Sequence, residues 1–288
     1  MDCTAGSGGH SELIAGRLRG HGRLLSIDRD LEAVEMARGR LESPAGRVRV
    51  IHGNFSDLPE ILSAHGLSNV DGVLLDLGMS SYQLDASGRG FSINAIEALD
   101  MRMDTSRGMS AWELVNTLGA SDIERILRDY GEERRAGKIA RAICRARENR
   151  AIETSLELSS LIASVFPKSS RYKAKHPAIR SFQAIRIAVN DELGNLEKFL
   201  KFIPSLLNDN GRLVVLSYHS LEDRIVKRAF SRWEKGCCCP PGLPVCACGF
   251  KPLFVSLTKR GIRPRPEETL QNPRARSAVL RAARRVPS

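Results

Sequence analysis

Asp2-Cys3-Thr4-Ala5-Gly6-Ser7-Gly8-Gly9-His10 (DCTAGSGGH) is the stretch on which the fold turns. It leads into a helical pattern around Ser11–Arg19. Small residues between a strand and a helix let backbone approach a ligand closely, and the helix start leaves N–H groups free to bind it. Residues 23 to 75 alternate strand and helix signals. Arg23–Ile27 (RLLSI) reads as a short buried strand. Leu31, Val34, Ala37 and Leu41 fall on one face of a helix, and Val48–Ile51 and Val70–Leu75 read as further strands. Buried strands separated by helices predict a parallel sheet with right-handed crossovers. Ligands of such sheets bind outside the carboxyl ends of the strands. The residues after each strand are therefore the site candidates: the glycine loop, Asp28, Asn54-Phe55 and Asp76-Leu77-Gly78.

Two cofactor classes use a loop of this kind. A dinucleotide site calls for G-x-G-x-x-G with the pyrophosphate on the helix. Here the glycines run Gly6-x-Gly8-Gly9 behind an acidic residue. That spacing is closer to the acid-x-G-x-G-x-G loop of S-adenosylmethionine-dependent methyltransferases. Asp28 can accept bonds from both ribose hydroxyls in either class. Its other reading is a cap for the helix at Leu31, a role that Asp30 fills better. Phe55 can stack on adenine or simply join the core.

From about Ser106 to Ser181 helical periodicity takes over, in Ser110–Leu118, Ser121–Tyr130, Glu132–Asn149 and Ser155–Val165. Gln183–Leu207 reads as one long helix, Asn208–Gly211 as a turn, and Arg212–Ser217 as a strand that resumes the sheet. Leu253–Thr258 and Ala278–Ala283 can pair as an antiparallel hairpin. The expected organisation is a first part of the α/β domain at 1–105, a helical insert at 106–181, and a second part at 182–288.

Charge is unevenly distributed. The 288 residues carry a net +11, yet residues 1–223 hold 29 basic and 30 acidic side chains while residues 224–288 hold 15 and 3. A basic field confined to one end points to a polyanion, nucleic acid first among them. Arg263, Arg265, Arg274, Arg276, Arg281, Arg284 and Arg285 supply most of it, as candidate phosphate contacts. No apolar run is long enough to span a membrane, and the first ten residues lack a secretory pattern. Five of seven cysteines fall within Cys237–Cys248. Four of them, Cys237, Cys239, Cys246 and Cys248, can be arranged as a structural zinc site, although C-x-C is tighter than the usual C-x2-C. The other reading is a loop of reduced thiols.

Longer phrases then accumulate: DLGMSSYQLD (Asp76–Asp85), RGFS (Arg89–Ser92), LDMRMD (Leu99–Asp104), YGEE (Tyr130–Glu133), FQAIRIAVNDEL (Phe182–Leu193), SYHSLEDR (Ser217–Arg224) and NPRARSA (Asn272–Ala278). Together with DCTAGSGGHS and HGNFSDL, they resemble the ribosomal RNA small subunit methyltransferase H family, in order and over nearly the whole chain. The resemblance implies a class I S-adenosylmethionine-dependent methyltransferase sheet, Rossmann-like, with an inserted helical domain that recognises substrate. It implies methyl transfer to N4 of a cytidine near the decoding region of small-subunit (16S-type) rRNA. The family's cofactor contacts fall on Gly8, Gly9, His10, Asp28, Phe55, Asp76 and Gln83. The family has a segment before the glycine loop of which only Met1–Thr4 stands here, so the first strand reads as truncated and the chain as poorly stable.

The loop after the fourth strand is Asp76-Leu77-Gly78-Met79-Ser80-Ser81, not the Asp/Asn-Pro-Pro-aromatic loop of many amino-methyltransferases. The candidates for handling the base are Asp76, Asp100, Asp104, His219 and Asp223. The partner is small-subunit rRNA, in a bacterial cytoplasm or, alternatively, an organelle. Two other readings stay open: a methyltransferase on another nucleic acid, and a non-catalytic RNA-binding ribosome assembly factor.

Overall fold

The computed structural model of the chain describes residues 1–42, 46–167, 176–235, 239, 248 and 250–287. In chain order its helices are α1 (Gly9–Ala15), α2 (Leu31–Leu41), α3 (Leu58–Ala64), α4 (Ser81–Asp85), α5 (Ala111–Thr117), α6 (Ala120–Gly131), α7 (Ala136–Asn149), α8 (Ser155–Ser164), α9 (Ile179–Asn190), α10 (Glu192–Leu206), α11 (Ser220–Lys235) and α12 (Pro266–Gln271). The strands are β1 (Leu24–Asp28), β2 (Val48–His52), β3 (Val70–Asp76), β4 (Leu207–Ser217), β5 (Phe254–Ser256) and β6 (Val279–Arg285). The chain divides into two compact units, Met1–Gly78 with Leu193–Ser288, and Met79–Glu192.

The first unit holds the sheet. β1 pairs with β2 and β3 with β4, both in parallel, and β6 runs antiparallel between β4 and β5. Met1–Cys3 joins the two halves. Asp2 bridges both Ser26 of β1 and Leu74 of β3 in parallel. Its N–H donates to Leu25 O at 2.9 Å, Ile27 N–H donates back to Asp2 O at 2.8 Å, and Cys3 N–H donates to Leu74 O at 2.9 Å. The spatial order is therefore β2, β1, Met1–Cys3, β3, β4, β6, β5. Successive strands run outward in one direction as far as β2, then restart on the other side at β3. That reversal is the switch point where open α/β sheets bind ligands, and it is flanked by the glycine loop and by Asp76.

The expected strand–helix alternation holds because each strand buries apolar side chains on the helices that follow. Ile27, Leu75, Leu213 and Val215 pack with Phe199 and Ile203 of α10 and Val226 and Phe230 of α11. Val34, Ala37 and Leu41 of α2 form a smaller cluster with Ala5 and Val50. Each fully buried side chain of this size stabilises by about 1.5–3 kcal/mol. Asp30 caps α2, its side chain accepting from Glu32 N–H at 3.2 Å.

Two readings of the sequence change. Gln183–Leu207 is two helices, broken at Asp191, whose φ is 44°. The break is fixed by Asn190, buried, whose amide donates to Met101 O at 2.7 Å while its carbonyl accepts from Met103 N–H at 2.8 Å. Asn208–Gly211 is a bulge inside β4, with the register to β3 shifting between Val70 and Gly72.

The helical unit spans Met79–Glu192, wider than 106–181, because Phe91, Leu99, Met101 and Met103 lie in its core beside Ile123, Leu127, Ile139 and Ile185. The buried positions of α7, Ala136, Ile139, Ala140 and Ile143, follow the i, i+3, i+4, i+7 spacing of an amphipathic helix. α6 and α9 cross closely: a Cβ on Gly131 would stand 2.7 Å from Arg180 O.

Candidate active site

The acid that leads the glycine loop faces inward. Asp2 is fully buried, and it accepts from Ser11 Oγ at 2.6 Å and from Thr4 N–H at 3.2 Å. Ser11 Oγ also meets Ser26 Oγ at 2.8 Å. Burial raises the Asp2 carboxyl, against the hydrogen bonds that favour its charge. Asp2 thus staples α1 to the sheet and leaves ligand contact to the loop backbone. Gly8 has φ 89°, and a Cβ there would stand 3.0 Å from Leu41 Cδ1. At Gly9 a Cβ would meet nothing within 4 Å, so the start of α1 opens onto free space. Cys3 is a core thiol that burial pushes up to about 12, which makes it unreactive at neutral pH.

Asp28 closes β1. Its carboxylate accepts from Gly6 N–H at 2.7 Å and from Asp30 N–H at 2.9 Å. Removal from solvent outweighs these bonds and pushes it up to about 6. Phe55 follows β2 in a single turn capped by Asn54, which accepts from Ser56 N–H at 3.0 Å. Its ring is 8% exposed and meets Phe199 edge-on at 5.7 Å, so most of its surface serves the core.

Asp76 closes β3. Its N–H donates to Thr4 Oγ1 at 2.6 Å, which fixes the strand end to the glycine loop. One carboxylate oxygen accepts from the Tyr218 hydroxyl at 2.9 Å, and the other lies 3.4 Å from His10 Nδ1. The Asp76 bond raises the His10 imidazole, against its partial burial. Burial and the Asp76 charge raise the Tyr218 phenol, which therefore stays protonated as a donor. Tyr218 and Thr4 are not among the candidates the sequence offers. Taking the first residue after β4, as for the other strands, points to Tyr218 rather than to its neighbour His219.

The remaining candidates are held by internal partners. His219 Nε2 lies 3.2 Å from Glu222 Oε1, and the other oxygen of that buried carboxylate accepts from Tyr218 N–H at 2.9 Å. Asp223, a candidate for handling the base, engages Arg281 with both oxygens, at 2.7 and 3.1 Å. Asp100, Asp104 and Gln83 belong to the helical unit. Burial would raise Asp100, but the two-pronged Arg102 guanidinium at 2.7 and 2.9 Å holds it below the usual carboxylate range. Asp104 is lowered in the same way, against burial, by Ser106 and Arg107. Gln83 forms a capping box with Ser80 at the start of α4. Cys239 and Cys248 are half-buried, while Cys237 and Cys246 lie outside the described residues.

The sequence matches the model of the MraW methylase family over residues 1–286. The chain belongs to the MraW methylase family. It is 48% identical to ribosomal RNA small subunit methyltransferase H of Desulfosudis oleivorans over 99% of this chain and 92% of that protein. It is 49% identical to the protein of that name from Pelobacter propionicus, over 99% and 92%, and 48% identical to that of Symbiobacterium thermophilum, over 98% and 89%. Membership makes this MraW-family chain a methyltransferase of the S-adenosylmethionine-dependent class.

The residues of the crevice suit that cofactor. Its ribose diol needs an acceptor, a role the Asp28 carboxylate at the end of β1 has the chemistry to fill. Its polar end needs close backbone approach, which the free space at Gly9 and the left-handed Gly8 allow. The loop itself is pinned by carboxylates, Thr4 N–H donating to Asp2 and Gly6 N–H to Asp28.

Proposed function

We propose that this methylase transfers a methyl group from S-adenosylmethionine to N4 of a cytidine near the decoding region of small-subunit (16S-type) rRNA. The observation that carries the reading is Asp76 at the switch point, its two oxygens held by the Tyr218 hydroxyl and the His10 imidazole. The names of the relatives support rRNA as the substrate class, and the basic C-terminal region supports a polyanion.

S-adenosylmethionine, when bound, supplies a sulfonium-activated methyl whose carbon–sulfur electron pair leaves on sulfur. Asp28 would accept its ribose hydroxyls, and Gly8, Gly9 and His10 would line its path, with Phe55 as a further contact. The exocyclic nitrogen of cytosine is a poor nucleophile because its lone pair is delocalised into the ring. A carboxylate has about four acceptor positions, so Asp76 keeps room for the N4 amino group beside Tyr218 and His10. By accepting from N4–H, Asp76 orients the nitrogen and enriches its lone pair. Once N4 has bonded the methyl carbon, Asp76 takes the proton that N4 sheds and passes it to water. Tyr218 and His10 keep the carboxylate in one rotamer throughout.

The helical unit is then the element that recognises rRNA structure, and the compartment is the cytoplasm where small subunits are made. The test is transfer of labelled methyl to small subunits lacking the modification, followed by mapping of the labelled base. Label on N4 of one cytidine is expected. Label elsewhere, or none with the cofactor bound, overturns the reading.

A further inference from the structure

The basic C-terminal region is not uniform. Three of its arginines are occupied inside the sheet unit: Arg281 by Asp223, Arg284 by Asn210 Oδ1 at 2.8 Å, and Arg285 by Leu207 O. A different set of cations lines a surface cleft of about 310 Å3 beside β6, formed by Lys227, Lys259, Arg260 and Arg263 around the Asp223–Arg281 pair. Among the described residues none of these four has a carboxylate or hydrogen-bond partner. The one acid lining the cleft, Asp223, is already neutralised by Arg281, so the net charge there is about +4.

The cleft is also built. The segment bearing Lys259, Arg260 and Arg263 is strapped to β6 on both sides. Ala282 N–H donates to Thr258 Oγ1 at 3.0 Å, and Ile262 and Leu280 exchange two backbone bonds of 2.8 Å. Gly261 sits so close to β6 that a Cβ would stand 2.5 Å from Val279 Cγ1. Four cations held near one another without counter-charge repel, and a fold keeps such an arrangement readily when an anion relieves it. A concave site lined by Lys and Arg, with its floor fixed by an internal ion pair, suits phosphate oxygens.

We infer that this cleft seats backbone phosphates of the RNA substrate, as a docking site whose cations are distinct from the arginines committed to the sheet. The inference rests on the rRNA reading above. Its position on the β5–β6 side makes it a register-setting contact: it places the RNA without touching the reacting base. Lys259 and Arg263 are exposed and contribute little to the core.

The test is binding of unmodified, transcribed small-subunit rRNA to the full chain across a salt series. Lys259→Ala/Arg263→Ala should weaken binding about tenfold and reduce the salt slope by about 1.5, at 0.7–0.9 per lost phosphate contact. Thermal stability and S-adenosylmethionine affinity should stay at wild-type values. Arg265→Ala/Arg276→Ala removes the same charge from exposed positions outside the cleft and should change binding far less. Equal losses from the two pairs would mean diffuse attraction and overturn the site, as would an unchanged slope for the cleft pair. Wild-type protein that binds RNA through the cleft but labels no cytidine would overturn the methylation reading and leave the cleft standing.

Discussion

Carboxylates in two regions of this protein are held in opposite ways. At the strand ends of the sheet unit, Asp76 meets a hydroxyl and an imidazole, and Asp28 meets two backbone N–H groups. In the Leu99–Arg107 segment of the helical unit, Asp100 and Asp104 meet the guanidinium groups of Arg102 and Arg107. A carboxylate facing a fixed positive charge is lowered and bound as a structural anion. One held by a hydroxyl, an imidazole or backbone N–H groups, with no guanidinium across both oxygens, keeps acceptor positions for a further hydrogen bond. On the proposed mechanism the difference separates an acid that handles the base from acids that hold a loop, and it can be broken one residue at a time.

The largest effect is expected at Asp76. Asp76→Asn keeps the size and one acceptor but removes the charge proposed to receive the N4 proton. Methyl transfer should fall by about 10²–10³ in kcat, with S-adenosylmethionine affinity changing much less. Single-turnover transfer and calorimetric binding on the same sample check this. A variant that turns over normally would end the assignment of Asp76.

Asp28 comes next, through pH. Its folded value of about 6 lies above the ordinary 3.8. Between those values the folded chain holds a proton that the unfolded chain has lost, so stability falls as pH rises across this window and levels off above it. The amplitude is about 2–3 kcal/mol. Asp28→Asn should flatten that slope in denaturant titrations at pH 4 to 7. In the wild type, cofactor affinity should rise about tenfold from pH 5 to 7 as the ribose acceptor ionises. A flat affinity profile would count against the ribose role.

The arginine-held acids should show the reverse pattern. Asp100→Asn, and Asp223→Ala in the sheet unit, should lower stability by about 1–2 kcal/mol and leave kcat within about threefold. Because Asp100 is lowered, its contribution is present at neutral pH and is lost only as pH drops through its depressed folded value. A turnover loss like that of Asp76→Asn would move either residue into the catalytic group.

The parallel core was legible because β1, β2 and β3 are short segments rich in Leu, Val and Ile, each running into a turn at the sheet's carboxyl edge. Asp28, Phe55 and Asp76 stand at those ends in the structure. The break at Asp191 was not legible, since it depends on Asn190 bonding to Met101 and Met103, almost ninety residues away in sequence. The partners of the acids were illegible for the same reason. Asp223 reads like any carboxylate near a strand end, and only the antiparallel pairing of β6 with β4 brings Arg281 to it. The part played by Asp2, the acid that leads the glycine loop, was equally hidden: Ser11, itself bonded to Ser26, makes it a buried staple.

The smallest effect sharpens the comparison most. Tyr218→Phe removes the hydroxyl that donates to Asp76 and keeps the ring that packs 3.4 Å from the position a Cβ would take on Gly78. If Tyr218 serves only to orient the carboxylate, one hydrogen bond to a charged group is lost while His10 still holds the other oxygen, worth about 1.5 kcal/mol, the low end for such bonds. That corresponds to a fall in kcat of about tenfold with KM for RNA unmoved. In the Asp76→Asn background the same change should cost almost nothing further, because the carboxylate it orients has gone. A second, full-sized loss in the double variant would show that Tyr218 touches the base or the cofactor itself. The crevice would then hold two acting groups, where the proposed mechanism has one carboxylate and its two holders.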